Sequence, residues 1–372
     1  MKPWSKRLRP TRKVVYAISA TIVVILLGLL LWIFYLDGVV QREFKGRLWS
    51  VPAKVYAAPT DLYAGAAVTA DDSIEAQAPV PETTLYRIPS TLDGAPQPVL
   101  AWAPNSATKA PTALFVFLHS WSSDYTQDNE KWLRACAERG WIWLHPNFRG
   151  INQSPQACGS KFARQDILDA IDHACTLWQV DRERIYLAGV SGGGHMSLLM
   201  AGHHPDRFSA ISSWVGPTDL AEWHRFHTPD GKPGKYAKMI EKSLGGAPGT
   251  SSEIDADYRD RSPVFHLHQA TSLPVSIWAG VEDGHSGSVP VSHSLRAFNS
   301  ICRGLQQPEI SDQEIQQLVT DRRLRQPLAT DTAADAELGR EIFLRRHAGS
   351  SMVTIFAGGH ESLPPAALAW LS

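Results

Sequence analysis

Apolar residues fall along this chain in two different ways. From residue 14 to residue 36 runs VVYAISATIVVILLGLLLWIFYL, 23 positions with no charge and no polar stripe. As a helix it would extend roughly 34 Å at about 1.5 Å per residue, enough to cross a bilayer. A buried core helix normally keeps a polar face, which is missing here. A cleaved leader has a shorter apolar stretch closed by an A-x-A-like site, whereas Asp37-Gly38-Val39-Val40-Gln41 follows this one. The run therefore predicts an uncleaved membrane anchor.

Later apolar runs are short. Residues 114–118, 141–144, 185–188, 210–215, 275–279 and 352–356 are compact blocks without polar alternation, most of them separated by helix-like stretches. A sheet covered on both faces requires such strands, so they predict an α/β fold with a mainly parallel sheet. Residues 84–89 and 99–103 flank the turn-forming Asp93-Gly94 and predict a hairpin, bringing the expected strands to eight. Over 163–178, Ile167, Leu168, Ile171, Ala174 and Cys175 recur at helical spacing, with Asp166, Asp169 and Asp172 suited to the opposite face.

Two stretches break the alternation. Residues 217–268 carry Gly231, Pro233, Gly234 and a Gly-Gly-Ala-Pro-Gly break at 245–249, with a helix expected at 236–244; they predict a cap over the sheet. Residues 303–350 are mostly polar, with helices expected at 311–324 and 333–345 and no readable role. The domain plan is then a tail at 1–13, the anchor at 14–36, a stem and linker at 37–83, and a folded domain at 84–372. No internal repeat is visible.

Charge adds an orientation. Residues 1–13 hold six cations and no acid, which keeps them in the cytoplasm and places everything after Asp37 on the far side; Trp32, Phe34 and Tyr35 suit the outer interface. The remainder carries 30 Lys and Arg against 37 Asp and Glu, a poor balance for neutralising phosphates, so nucleic acid is not an expected partner. Cys136, Cys158, Cys175 and Cys302 lack C-x-x-C spacing, which argues against a zinc ribbon or a disulfide scaffold. Beyond the membrane disulfides are permitted, although the pairing is not readable.

The chemistry concentrates at Gly189-Val190-Ser191-Gly192-Gly193-Gly194-His195, a G-x-S-x-G motif between an expected strand and an expected helix. A nucleophile on so tight a turn has strained backbone angles, and Gly189 and Gly193 leave room for strand and helix to approach. The helix N-terminus and the Gly192 N–H then face the oxygen that turns negative during acyl transfer. A phosphate-cradling loop is disfavoured, because G-x-x-x-x-G-K-[ST] is absent. A hydroxyl nucleophile needs a base and the base an orienting carboxylate. The strand at 275–279 runs into Glu282 and Asp283, and the strand at 352–356 runs through Gly358 and Gly359 to His360. Asp283 is the preferred carboxylate, with Glu282 the alternative.

Together with these motifs, Phe117-Leu118-His119, Asn147-Phe148-Arg149-Gly150, His204-Pro205-Asp206-Arg207-Phe208 and Arg261-Ser262-Pro263 make residues 84–372 resemble an α/β-hydrolase of the prolyl oligopeptidase-like and acetyl-esterase-like branch. The resemblance implies the α/β-hydrolase fold, a mostly parallel eight-stranded sheet with helices on both faces. It implies Ser191 as nucleophile, His360 as general base, Asp283 as its orienter and the Gly192 N–H as one oxyanion donor. Where the family has His-Gly-Gly, this chain has His119-Ser120-Trp121, which assigns the second donor to the Trp121 N–H. Residues 44–72, with Phe44-Lys45-Gly46-Arg47-Leu48-Trp49, also resemble the juxtamembrane stem of class A penicillin-binding proteins, which carries over a location and no catalysis.

The remaining candidates have ordinary uses. His203-His204 and His266-x-His268 offer metal-ligand spacing without a third ligand in context, so no metal or other cofactor is expected. His119 is expected to support the oxyanion loop, His285 to be a loop residue, and Trp121, Trp214 and Trp223 to pack in the core. The expected function is membrane-anchored, extracytoplasmic serine hydrolysis of a small ester. Short peptides are the alternative substrate, and an inert binding scaffold is the alternative class. Prolyl oligopeptidases proper guard their site with an N-terminal β-propeller, and only 47 residues separate the anchor from the first expected strand here.

Overall fold

In a computed structural model, residues 80–372 of the chain are described. The expected tail, the anchor at 14–36, nearly all of the stem and the penicillin-binding-protein-like segment lie outside them. Among the described residues no helix is long and apolar enough to cross a membrane.

All eight expected strands form: β1 (Thr84–Pro89), β2 (Pro96–Trp102), β3 (Thr112–Leu118), β4 (Ile142–Pro146), β5 (Val180–Val190), β6 (Ala210–Trp214), β7 (Val275–Gly280) and β9 (Ser351–Phe356). A ninth, β8 (Ile342–Ala348), completes one mixed sheet in the order β1-β2-β4-β3-β5-β6-β7-β9-β8. Neighbours from β4 through β9 run parallel, while β1, β2 and β8 pair antiparallel at the two margins. Every residue of β3, β4, β6, β7 and β9 is buried, polar ones such as Ser212, Ser213, Ser276 and Thr354 included, as a sheet covered on both faces requires.

The helices are α1 (Glu130–Glu138), α2 (Lys161–Leu177), α3 (Gly192–His203), α4 (Leu220–Phe226), α5 (Lys235–Leu244), α6 (Ser252–Asp260), α7 (Ser292–Leu305), α8 (Asp312–Thr320) and α9 (Pro364–Leu371). Helix α1 packs with α9, while α3 and α7 meet at the short turn Leu267–Gln269.

The ninth strand corrects two expectations: the sheet has nine strands rather than eight, and the helix expected at 333–345 does not form. Gly339 has a positive φ of 61°, which stops a helix there. Ile342 and Leu344 then point inward at the period of a strand. Arg345 and Arg346 are held by Asp335 (2.8 Å), Asp331 (2.6 Å) and Glu314 (3.0 Å). Pairing with β9 and this ion network outweigh the helical character of the segment.

The stretch expected to form a cap builds its own small core. Leu220, Trp223, Met239, Ile240, Leu244 and Tyr258 pack with Trp121 and Val289, which belong to the loops after β3 and β7. The four cysteines are unpaired, three of them buried.

Candidate active site

Sheet register brings the expected residues to one edge. Val190 pairs with Trp214, Trp214 with Trp278 and Trp278 with Thr354, so the carboxyl ends of β5, β6, β7 and β9 lie side by side. Ser191 follows β5 directly, Asp283 lies just beyond β7 and His360 just beyond β9.

Ser191 holds φ 60° and ψ −115° at the start of α3. For a residue with a side chain such angles cost about 1–3 kcal/mol, and neighbouring bonds must hold them. Its N–H donates to Trp214 O at 2.8 Å and its carbonyl accepts from the His195 N–H at 2.9 Å. A Cβ on Gly189 would overlap the Gly193 backbone, which bears out the steric reading of the motif.

Asp283 is almost fully buried and every one of its acceptor bonds comes from a fixed donor. Oδ1 accepts from the N–H groups of Gly284 and Val289, each at 3.0 Å, and Oδ2 accepts from His360 Nδ1 at 2.8 Å. A buried carboxylate satisfied in this way is locked in orientation. With its Nδ1 proton committed to Asp283, the imidazole presents the Nε2 lone pair, the form a base needs. The His360 side chain is a quarter exposed, so that nitrogen is not sealed in the core. Among the described residues no hydrogen bond joins Ser191 Oγ to His360; such bonds commonly tighten only with substrate in place.

The two backbone donors also meet. A Cβ on Gly192 would overlap the Trp121 N and Cα atoms, so only glycine lets the loop after β3 lie against the start of α3. Among the described residues neither the Trp121 nor the Gly192 N–H has an acceptor. Both stand at the positive end of a 12-residue helix, where a developing oxyanion is stabilised. A cleft of about 760 Å³ lies mainly against α1 and the start of α9; Ser120, Val190 and Ser362 line it, whereas Trp121, Ser191 and His360 do not.

The alternatives separate clearly. Glu282 points away and pairs with Arg322 at 2.8 Å, so Asp283 and not Glu282 reaches His360. His285 sets its Nε2 against Val319 O, tying the loop to α8 as an ordinary loop residue. His119 stacks on Phe148 and places Nε2 2.8 Å from Asn147 O, in support of the oxyanion loop. Trp121, Trp214 and Trp223 are fully buried and pack in the core. His195 is also buried, with Nδ1 2.9 Å from Pro217 O, and burial pulls its imidazole down to about 4.

The histidine pairs do find a third partner: His203, Asp260 and His266 bring one ligand atom each within 4.8 Å of one another. The Arg164 guanidinium already holds Asp260 Oδ2 at 3.0 Å and lies 3.2 Å from His203 Nε2. A cation is thus built into that cluster, which reads as an Arg–Asp–His knot between α2, α3 and α6.

Sequence reasoning missed Gly287 and Val289. A Cβ on Gly287 would overlap Asp283 Oδ1 and crowd His360 Cβ, so this glycine lets its loop close over the pair. Its one signal was the unusually long segment between Asp283 and Pro290.

Residues 128–311 match the model of the prolyl oligopeptidase family. The acylamino-acid-releasing enzyme of Arabidopsis thaliana is 28% identical over 178 residues, which are 44% of this chain and 21% of that protein. An acetylxylan esterase of Coprinopsis cinerea is 38% identical over 50 residues, 13% of this chain and 13% of that protein. The solved acylaminoacyl peptidase of Pyrococcus horikoshii is 19% identical with a TM-score of 0.48, covering 60% of this chain and 35% of that one. The chain spans about a fifth of the length of the plant enzyme.

Proposed function

We propose that this chain, which matches the prolyl oligopeptidase family over residues 128–311, is a serine hydrolase that cleaves a small carboxylic ester through an acyl-Ser191 intermediate. The reading extends to location: residues 14–36 anchor the enzyme and the catalytic domain works outside the cytoplasm.

In the proposed reaction His360 Nε2 takes the Ser191 hydroxyl proton as Oγ attacks the ester carbonyl carbon. The carbonyl oxygen becomes an oxyanion between the Trp121 and Gly192 N–H groups. The His360 imidazolium, stabilised by Asp283, passes its proton to the departing alcohol oxygen as the C–O bond breaks. Water then loses a proton to His360 and attacks the acyl carbon. The carboxylic acid leaves, and Ser191 recovers its proton.

The observation that carries this reading is the 2.8 Å contact between His360 Nδ1 and Asp283 Oδ2 at the sheet edge where Ser191 sits on its strained turn. The ester is placed first because an alcohol departs with less help from the acid than an amine does. Short peptides are the second reading, favoured by the peptidase names of the matching family and of the plant relative.

Three experiments test the proposal. Ser191→Ala and His360→Ala should each remove nearly all turnover, on the order of 10⁶-fold, and the double variant should lose little more. A fluorophosphonate should label wild type and not Ser191→Ala; an unlabelled, folded wild type would leave only a binding scaffold. A panel of acyl esters, N-acyl amino-acid amides and dipeptide amides decides the substrate, and a higher kcat/KM on the amides would reverse the order of the two readings.

A further inference from the structure

One peptide unit beside the active site is hydrogen-bonded at both ends. Its N–H, that of Val289, donates to Asp283 Oδ1 at 3.0 Å. Its carbonyl, that of Ser288, accepts from Trp223 Nε1 at 2.7 Å and from His227 Nε2 at 2.9 Å. Trp223 lies on α4 and His227 caps its end, so both donors come from the 217–268 segment that packs on Trp121 and Val289. The amide is planar and rigid, so fixing its oxygen also fixes the direction of its N–H. Hydrogen bonds to a carbonyl additionally polarise the amide, strengthening the bond its N–H makes by about 10–30%.

We infer that Trp223 and His227 are positioning residues that act through the Ser288–Val289 peptide unit on Asp283, and through Asp283 on His360. This rests on the triad role proposed above. Trp223 is buried and its ring lies edge-on to Trp121, 4.7 Å between centroids, which leaves the indole N–H little freedom to aim elsewhere. Burial holds His227 below the ordinary imidazole value, so at neutral pH it is an uncharged ring donating from Nε2. The nearby charges are already paired, Glu282 with Arg322 and Glu361 with Arg340, and neither pair bonds to Asp283. Only two protein N–H groups reach Oδ1 among the described residues, those of Gly284 and Val289, so the relay controls half of what orients that oxygen.

The test uses the full-length protein with an acyl ester and compares Trp223→Phe, His227→Leu and His227→Gln with wild type. Phenylalanine keeps most of the ring and removes the N–H, while glutamine restores a donor near the position of Nε2. Two quantities are read: kcat against KM, and the ¹H resonance of the proton between His360 Nδ1 and Asp283. Loss of one such donor should lower kcat about 3- to 10-fold in Trp223→Phe and His227→Leu, with KM within about 2-fold. The bridging-proton resonance should move upfield in both, and His227→Gln should recover most of each effect.

An unchanged kcat and an unmoved resonance in both donor-loss variants would overturn the inference, as would a rise in KM at constant kcat. If Trp223→Phe does not fold, the two His227 variants make the same comparison. Ser191→Ala separates the two levels of the argument. Full activity in that variant removes the triad reading, whereas its loss alongside silent donor variants removes only the relay.

Discussion

Asp283 Oδ2 and His360 Nδ1 stand 2.8 Å apart although 77 positions of chain separate them. Two parallel strands, β7 and β9, deliver them to neighbouring loops, and the backbone N–H groups of Gly284 and Val289 fix the other carboxylate oxygen. Asp283→Asn keeps the shape but places an amide where an acceptor is needed, favouring the wrong imidazole tautomer. The expected loss is about 10⁴-fold in kcat with KM little altered. Steady-state kinetics on an ester decides this, and a loss under tenfold would move the orienting role elsewhere.

Gly287→Ala should act through the same carboxylate. The added methyl would overlap Asp283 Oδ1, so either the carboxylate turns or the loop lifts. We expect kcat to fall about 10²-fold, since small displacements of a catalytic group have effects of that size. Overpacking should also cost about 1–3 kcal/mol of stability. Paired kinetic and denaturation measurements check both, and wild-type kcat in a folded variant would show that the loop does not press on the pair.

Stability should decline on acidification because of histidines away from the chemistry. Burial pulls His145 to about 3 and His195 and His293 each to about 4, against about 6.5 in an unfolded chain. Between pH 6.5 and 4 the unfolded state therefore binds more protons than the folded state. The stabilisation is complete above 6.5 and erodes as pH falls, with a slope approaching about 1.4 kcal/mol per pH unit for each histidine. Urea midpoints at pH 8, 7, 6 and 5 would show this, and a flat profile below pH 7 would contradict it.

The anchor proposed at residues 14–36 predicts that the full-length protein behaves as an integral membrane protein. It should stay in the membrane fraction through carbonate washing, and protease added outside sealed spheroplasts should digest the catalytic domain. Release by carbonate, or protection of that domain, would exclude the proposed topology.

Much of this was legible because the carrying features are local. Buried strands announce themselves as largely apolar runs, and the six expected from such runs form together with the two of the hairpin. Ser191 was visible as a residue between glycines on a strand-to-helix turn, and Asp283 and His360 as polar residues closing strands. What escaped was decided by distant partners. Residues 342–348 form a strand because β9 offers an edge and Asp331, Asp335 and Glu314 hold the arginines. Val289 matters through its backbone N–H, which no side-chain pattern encodes. Asp260 joins His203 and His266 across three separate elements.

Trp121 belongs to two places at once: its main chain lies on Gly192 at the reaction centre, while its indole is embedded with Met239, Leu244 and Trp223 beneath the covering helices. Substitutions in that outlying apolar patch are therefore mechanically connected to the spot where the oxyanion would form. Evolution, or an engineer, would then retune turnover by reshaping this hydrophobic pad, leaving the reacting side chains untouched.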